Sequence, residues 1–167
     1  MGLLEVIQGR RSVRKFQERP VEDECVQALL EAGRWAPSGL NNQPWRVILV
    51  EDRSKAAELS RCTKYSSIVA KAPLLIAVFL DRSSSYDRDK DLMSVGAFIQ
   101  NMLLMAHDRG LGAVWLGEIL RQKERVSELL EAPPDFELMA VIAVGYPAEA
   151  PEPRGRKEVR ELIYKRH

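Results

Sequence analysis

Apolar positions along this chain follow two rhythms. Four runs are short, almost unbroken and bounded by turn residues: "WRVILVE", "PLLIAVFLD", "AVWLGEI" and "FELMAVIAVGYP". Such runs predict strands of a sheet, and the first two read as buried on both faces. Between them the spacing is helical. "LLEVIQGRR" places Leu3, Leu4 and Ile7 on one face, and "VEDECVQALLEAGRWA" does the same with Val26, Leu29, Leu30 and Gly33. The second of these has acidic residues in its first turn and is ended by Pro37. "RSKAAELSRC", the segment from Tyr65 to Lys71 and "RQKERVSELLE" predict three further helices.

The long segment "DLMSVGAFIQNMLLMAHDRG" is apolar around nearly its whole circumference. A helix without a wet face is enclosed by its own fold or shared with a second subunit. Ahead of it, "SSSYDRDK", residues 83–90, reads as a polar loop. The tail leaves through prolines and ends in "VRELIY", a short edge strand or a helix. Strands and helices intermix without an internal repeat. The expected class is therefore α/β or α+β with three layers, as one domain over residues 1–167.

Composition narrows the chemistry. A chain of 167 residues with 46% hydrophobic and 29% charged positions has the make-up of an ordinary globular protein. A net charge of +1 supplies no global field toward nucleic acid or an anionic surface. The basic residues also lack the interleaved aromatic platform of a nucleic-acid binder. No run approaches the ~20 apolar residues of a membrane span, and the N-terminus lacks a signal-peptide core. No membrane partner and a cytoplasmic location are expected. Cys25 and Cys62 match no CxxC or zinc spacing, and His107 and His167 are the only histidines. Neither a metal site nor a Ser-His-Asp triad is expected from that material.

Two stretches carry unusual chemistry. In "GRRSVRKF", residues 9–16, Arg10, Ser12 and Arg14 alternate, so an extended backbone turns them to one side. Guanidinium forks and a hydroxyl on one side suit a phosphate or carboxylate, although a solvated basic turn has the same composition. Arg154, Arg156 and Lys157 form a second cluster that would join the first only if the fold brought the two ends together. In "PSGLNNQPW", residues 37–45, Ser38, Asn41, Asn42 and Gln43 offer hydroxyl and amide groups, and Gly39 allows close backbone approach. Such groups suit the edge of a flat heterocycle. They also suit a loop that satisfies its own backbone.

Taken together, "RRSVRKF", "APSGLNNQPW", "GLGAVWLGEI" and "GYPAEAPEPRGRK" resemble, in order and spacing, the FMN-dependent nitroreductase family. This chain looks like a short member. The resemblance implies an α+β, three-layer fold: a central, mostly antiparallel sheet flanked by helices, in an intertwined homodimer with FMN at the subunit interface. It implies an oxidoreductase that takes electrons from NADH or NADPH and reduces nitro compounds, quinones or related small-molecule acceptors by a ping-pong mechanism. A specialised flavoenzyme on the same scaffold and a flavin-binding protein without turnover are the alternatives.

Carried over by position, Arg10 and Arg156 would hold the FMN phosphate with Arg154 beside them, and Arg11 belongs to the same motif. Ser12 would bond the ribityl or pyrimidine side, and Arg14 would face the N1–C2 edge of the ring as the stabiliser of negative charge there. Contributed in trans, Pro37, Ser38, Gly39 and Asn41 would border the ring and ribityl chain. Gly117 and Glu118 would offer backbone N–H groups near the redox-active nitrogen. Gly39 stands where many relatives carry a hydroxyl or other small side chain. Lys64 and Tyr65 have no assigned part, and residues 83–90 are a candidate lid.

Overall fold

The computed structural model describes residues 2–167. Four strands form one sheet: β1 (Trp45–Val50), β2 (Leu74–Asp81), β3 (Gly112–Leu116) and β4 (Phe136–Gly145). Their order is β1-β2-β4-β3, with every neighbouring pair antiparallel. Helices cover both faces. On one lie α1 (Leu3–Gly9), α2 (Asp23–Arg34) and α5 (Arg88–Asp108); on the other lie α3 (Arg53–Ser60), α4 (Ser66–Lys71) and α6 (Lys123–Leu129).

Strand periodicity explains the two cores. Leu74, Ile76, Val78 and Leu80 of β2 face α2 and α5, together with Leu29, Phe98, Ile99 and Met102. Leu75, Ala77 and Phe79 face the other way, against Leu59, Val69 and Val126. All eight residues of β2 are buried, as its unbroken apolar run predicts. β1 departs from the same expectation. It is an edge strand, with Arg46 exposed and Leu49 39% exposed, because no strand covers its outer side.

Two other segments differ from the sequence reading. Residues 83–90 are not an open loop: a 3-10 turn (Arg82–Ser84) takes one end and the first turn of α5 the other. Asp81 accepts from the Ser83 N–H at 3.0 Å, and Asp87 caps α5 by accepting from the Lys90 N–H at 3.1 Å. "VRELIY" forms neither edge strand nor α-helix. It makes a single 3-10 turn (Val159–Leu162) on an exposed tail, since Arg160 and Glu161 interrupt the apolar positions and no sheet edge lies alongside.

The apolar circumference of α5 is only partly covered within one chain. Val95, Phe98, Ile99, Met102 and Leu103 are buried, whereas Met93 is 69% exposed and Gln100 lies on the same uncovered stripe. Among the described residues, no helix is long and apolar enough to cross a membrane.

Candidate active site

The residues singled out in the sequence fall into separate places in space. The N-terminal basic stretch is fixed by the sheet. After α1 the chain runs alongside β3, where Ser12 bridges Ala113 and the Val13 N–H donates to the Ala113 carbonyl at 3.1 Å. It continues past the end of β4, with the Gln17 N–H donating to the Tyr146 carbonyl and the Ala148 N–H to the Lys15 carbonyl, both at 2.9 Å. Gly112 allows this approach, because a Cβ there would lie 2.7 Å from Val13 Cβ.

That pairing draws the two ends of the chain together. Arg10, Arg11, Ser12, Arg14, Arg154 and Arg156 line one cleft of about 130 Å³, with Pro151 and Glu152. Among the described residues no ion pair engages any of its five arginines. Burial and the neighbouring Arg156 and Arg11 cations push the Arg10 guanidinium below its usual pKa. Its charge is thus costly as the cleft stands and would be relieved by an anion.

The guanidiniums are not equivalent. Arg11 is fastened to the last turn of α1, donating to the Gln8 carbonyl at 2.6 Å and the Arg10 carbonyl at 3.0 Å. Arg14 donates to the Ser12 carbonyl at 3.1 Å, and its own N–H is held by Glu149 Oε1 at 2.8 Å. Arg156 donates to the Arg154 and Gly155 carbonyls. Arg10 makes no such contact among the described residues.

Pro37, Ser38, Gly39 and Asn41 do not line this cleft. They lie in the connection from α2 to β1, where three residues have positive φ: Leu40, Asn41 and Gln43, at 53°, 54° and 47°. Residues other than glycine rarely adopt that region, and such strain concentrates at functional loops. Hydrogen bonds hold it. Ser38 Oγ accepts from the Gln43 N–H at 3.1 Å, and Asn42 Nδ2 donates to Asp91 Oδ1 at 2.8 Å and to the Ser84 carbonyl at 3.0 Å. Leu40 is left 86% exposed, and Pro37 and Asn41 also face outward.

Sequence reasoning named Asn42 in this loop but missed its partner Asp91 and the packing of Tyr86 against Gly39. Asp91 reads locally as a first-turn acid, and nothing near it marks a partner 49 residues away. Tyr86 packs so closely that a Cβ on Gly39 would fall 1.9 Å from its hydroxyl oxygen. The phenol therefore occupies the space in which a side chain at position 39 would stand.

Gly117 and Glu118 close β3. Gly117 is exposed, with nothing within 4 Å of where its Cβ would be. The Glu118 carboxylate accepts from Thr63 Oγ1 at 2.7 Å and the Lys64 N–H at 3.1 Å, which holds its pKa below the ordinary range. Lys64 thus has a structural role through its backbone, and Tyr65 follows in the same turn by donating its N–H to Thr63 Oγ1 at 3.2 Å.

Known proteins share the sequence pattern and the fold. The profile of the nitroreductase family matches residues 7–63 and 50–146. A Methanothermobacter thermautotrophicus protein, provisionally named NADH dehydrogenase/NAD(P)H nitroreductase, is 35% identical over 156 residues, spanning 92% of this chain and 82% of its own. The crystal structure of a provisionally named nitroreductase from Desulfovibrio desulfuricans, in complex with FMN, superposes with a TM-score of 0.93 at 43% identity, covering 98% of this chain and 96% of that one. NADPH:FMN oxidoreductase from Vibrio harveyi, complexed with NAD+, gives 0.89 at 27% identity, covering 98% and 76%.

Proposed function

The chain belongs to the nitroreductase family, and from that premise we propose that it is an FMN-dependent oxidoreductase using NADH or NADPH to reduce nitro compounds, quinones or related acceptors. The observation that carries this reading is the cleft in which Arg10, Arg14, Arg154 and Arg156 converge without an ion-pair partner. Its donor set fits a phosphate monoester, which takes several forked donors at once.

Bound FMN would supply two-electron redox chemistry between the nicotinamide and the acceptor, which is the part of the task that side chains cannot perform. The protein would bind and orient. Arg10 and Arg156 would hold the phosphate, with Arg154 beside them, while Arg11 braces the end of α1. Ser12 would bond the ribityl or pyrimidine part, and Arg14 would place positive charge at the N1–C2 edge, where negative charge develops. Gly117 and Glu118 would offer backbone N–H groups near the redox-active nitrogen. No histidine is required, since solvent can deliver the protons.

A cleft of about 130 Å³ accommodates a phosphate and little more, whereas whole small-molecule sites run to roughly 300–1,000 Å³. The remainder of the site would come from a second copy whose Pro37, Ser38, Gly39 and Asn41 border the ring. The uncovered α5 stripe at Met93 and the exposed Leu3 and Leu4 of α1 are apolar surface suited to that homodimer. A cytoplasmic, single-domain homodimer spanning residues 1–167 is the form in which we expect it to work.

The test is the visible spectrum of the purified protein supplied with FMN, followed by anaerobic NADH and then NADPH. Flavin absorption that bleaches with either nucleotide supports the reductase. Flavin bound but not bleached favours a specialised flavoenzyme or a binding protein. Failure to retain FMN overturns the reading.

A further inference from the structure

Asp91 is fully buried, at 0% exposure, yet no lysine or arginine forms an ion pair with it among the described residues. A buried carboxylate in that position must be satisfied by hydrogen bonds or it destabilises the fold. Four donors meet it. Asn42 Nδ2 reaches Oδ1 at 2.8 Å, and Ser85 Oγ and the N–H groups of Tyr86 and Asp87 reach Oδ2 at 2.6, 3.1 and 3.4 Å. One donor belongs to the loop with three left-handed residues, and the other three belong to the turn ahead of α5. Asp91 therefore joins two loops that have no covalent reason to move together. The joint has a visible product: the Tyr86 hydroxyl sits against Gly39, where a Cβ would lie 1.9 Å away.

We propose that Asp91 is a positioning residue for acceptor binding: it fixes the strained 37–43 loop and seats Tyr86 on Gly39, so that the loop and the phenol form one rigid wall against a planar aromatic acceptor. The inference rests on the reductase reading above. Tyr86 is 43% exposed, and its hydroxyl has no hydrogen-bond partner among the described residues, so it is free to donate to a nitro or quinone oxygen. Lys90 Nζ lies 5.2 Å from the centre of its ring on one face, which leaves the other for stacking on the same ligand. Gly39 permits this seat, and any side chain there would displace the phenol.

The experiment compares wild type with Asp91→Asn, Asn42→Ala and Gly39→Ala as FMN-loaded enzymes, measuring acceptor KM and kcat, melting temperature and amide exchange. Asp91→Asn turns an NH2 toward groups that are themselves donors. It should raise the KM for a quinone about tenfold while kcat changes less than about twofold, in keeping with loss of a buried charged hydrogen bond. Exchange at Tyr86 and Asp87 should accelerate by a similar factor, with the sheet amides unaffected. Gly39→Ala leaves Asp91 intact but evicts the phenol, and should reproduce the KM change without the change in exchange. If Asp91→Asn does not fold, Asn42→Ala carries the same prediction from a half-buried position. Unchanged KM in both Asn42→Ala and Gly39→Ala overturns the inference. Wild type that fails to retain FMN instead overturns the underlying function, so the two failures are distinct.

Discussion

The Tyr146 hydroxyl donates to Glu22 Oε2 at 2.6 Å, across 124 residues of chain, and pins the start of α2 to the segment that leaves β4. Arg19 completes the contact, pairing with Glu22 Oε1 at 2.6 Å and lying 3.8 Å over the Tyr146 ring. The Tyr146 hydroxyl first, then Arg19, holds the Glu22 carboxyl down to about 2. A depressed carboxyl contributes stability that is fully present above the unfolded value near 4.5 and is lost as pH falls through about 2. Tyr146→Phe should move the Glu22 midpoint up toward its ordinary value, as followed by NMR titration of the side-chain carboxyl. An unchanged midpoint would show that the phenol is not its main cause.

The crowded arginines make opposite demands before and after a ligand binds. In FMN-free protein Arg10 is repelled by Arg156 and Arg11, so Arg10→Gln should leave the melting temperature unchanged or higher. Inorganic phosphate should stabilise the wild type and have less effect on the variant. Arg10→Ala with Arg14→Ala should weaken FMN binding at least a hundredfold, from the loss of two charge-assisted contacts of about 1.5–3 kcal/mol each, while the chain stays folded. Fluorescence-quenching titration and a thermal melt measure the two properties separately. A double variant that unfolds would make the cluster structural.

Gly112→Ala attacks the same cleft from behind. Its new methyl would meet Val13 at 2.7 Å, so the N-terminal segment must shift off β3 or the strand must give. Overpacking of this kind costs about 2 kcal/mol, readable in urea unfolding. FMN affinity should fall with it, although residue 112 is not among the cleft's lining residues. Retained affinity would show that the position of Ser12 and Arg14 tolerates the shift.

Leu40 is a strained, exposed apolar residue, at φ 53° and 86% exposure. Leu40→Asn should stabilise the FMN-free protein by about 1 kcal/mol, because asparagine visits the left-handed region at lower cost. That corresponds to a rise in melting temperature of about 2–4 °C for a domain this size. If Leu40 serves the interface between two copies, the same change weakens dimerisation in sedimentation experiments.

Much of the fold is legible because burial leaves a local record. The unbroken run of β2 announces a strand covered on both faces, and the helical spacing of α2 announces its buried side. β1 has almost the same composition as β2 but occupies an edge, and strand order depends on distant pairings that composition does not encode. The same limit applies to the site. "GRRSVRKF" shows its guanidiniums, yet it takes long-range bonds such as Val13 to Ala113, Ala148 to Lys15 and Arg14 to Glu149 to bring Arg154 and Arg156 to them. The pairing of Asn42 with Asp91 is illegible for a related reason: Asp91 is an ordinary helix-start acid until Asn42 stands opposite.

The anion cleft is assembled from the first and last parts of the chain, with β4 between β2 and β3 as the scaffold for both. A ribosome makes these parts in sequence. Arg10, Ser12 and Arg14 are translated early, but β3 has no sheet strand beside it until β4 emerges, only the segment at Ser12 and Val13, and Arg156 follows later still. On the proposed role of Arg156, cofactor loading would have a built-in order: a nascent chain can begin collapsing around β1 and β2, but its phosphate site would be incomplete until residue 156 has left the exit tunnel. Truncated products that end before Arg156 would on that reading bind flavin weakly and compete little for it.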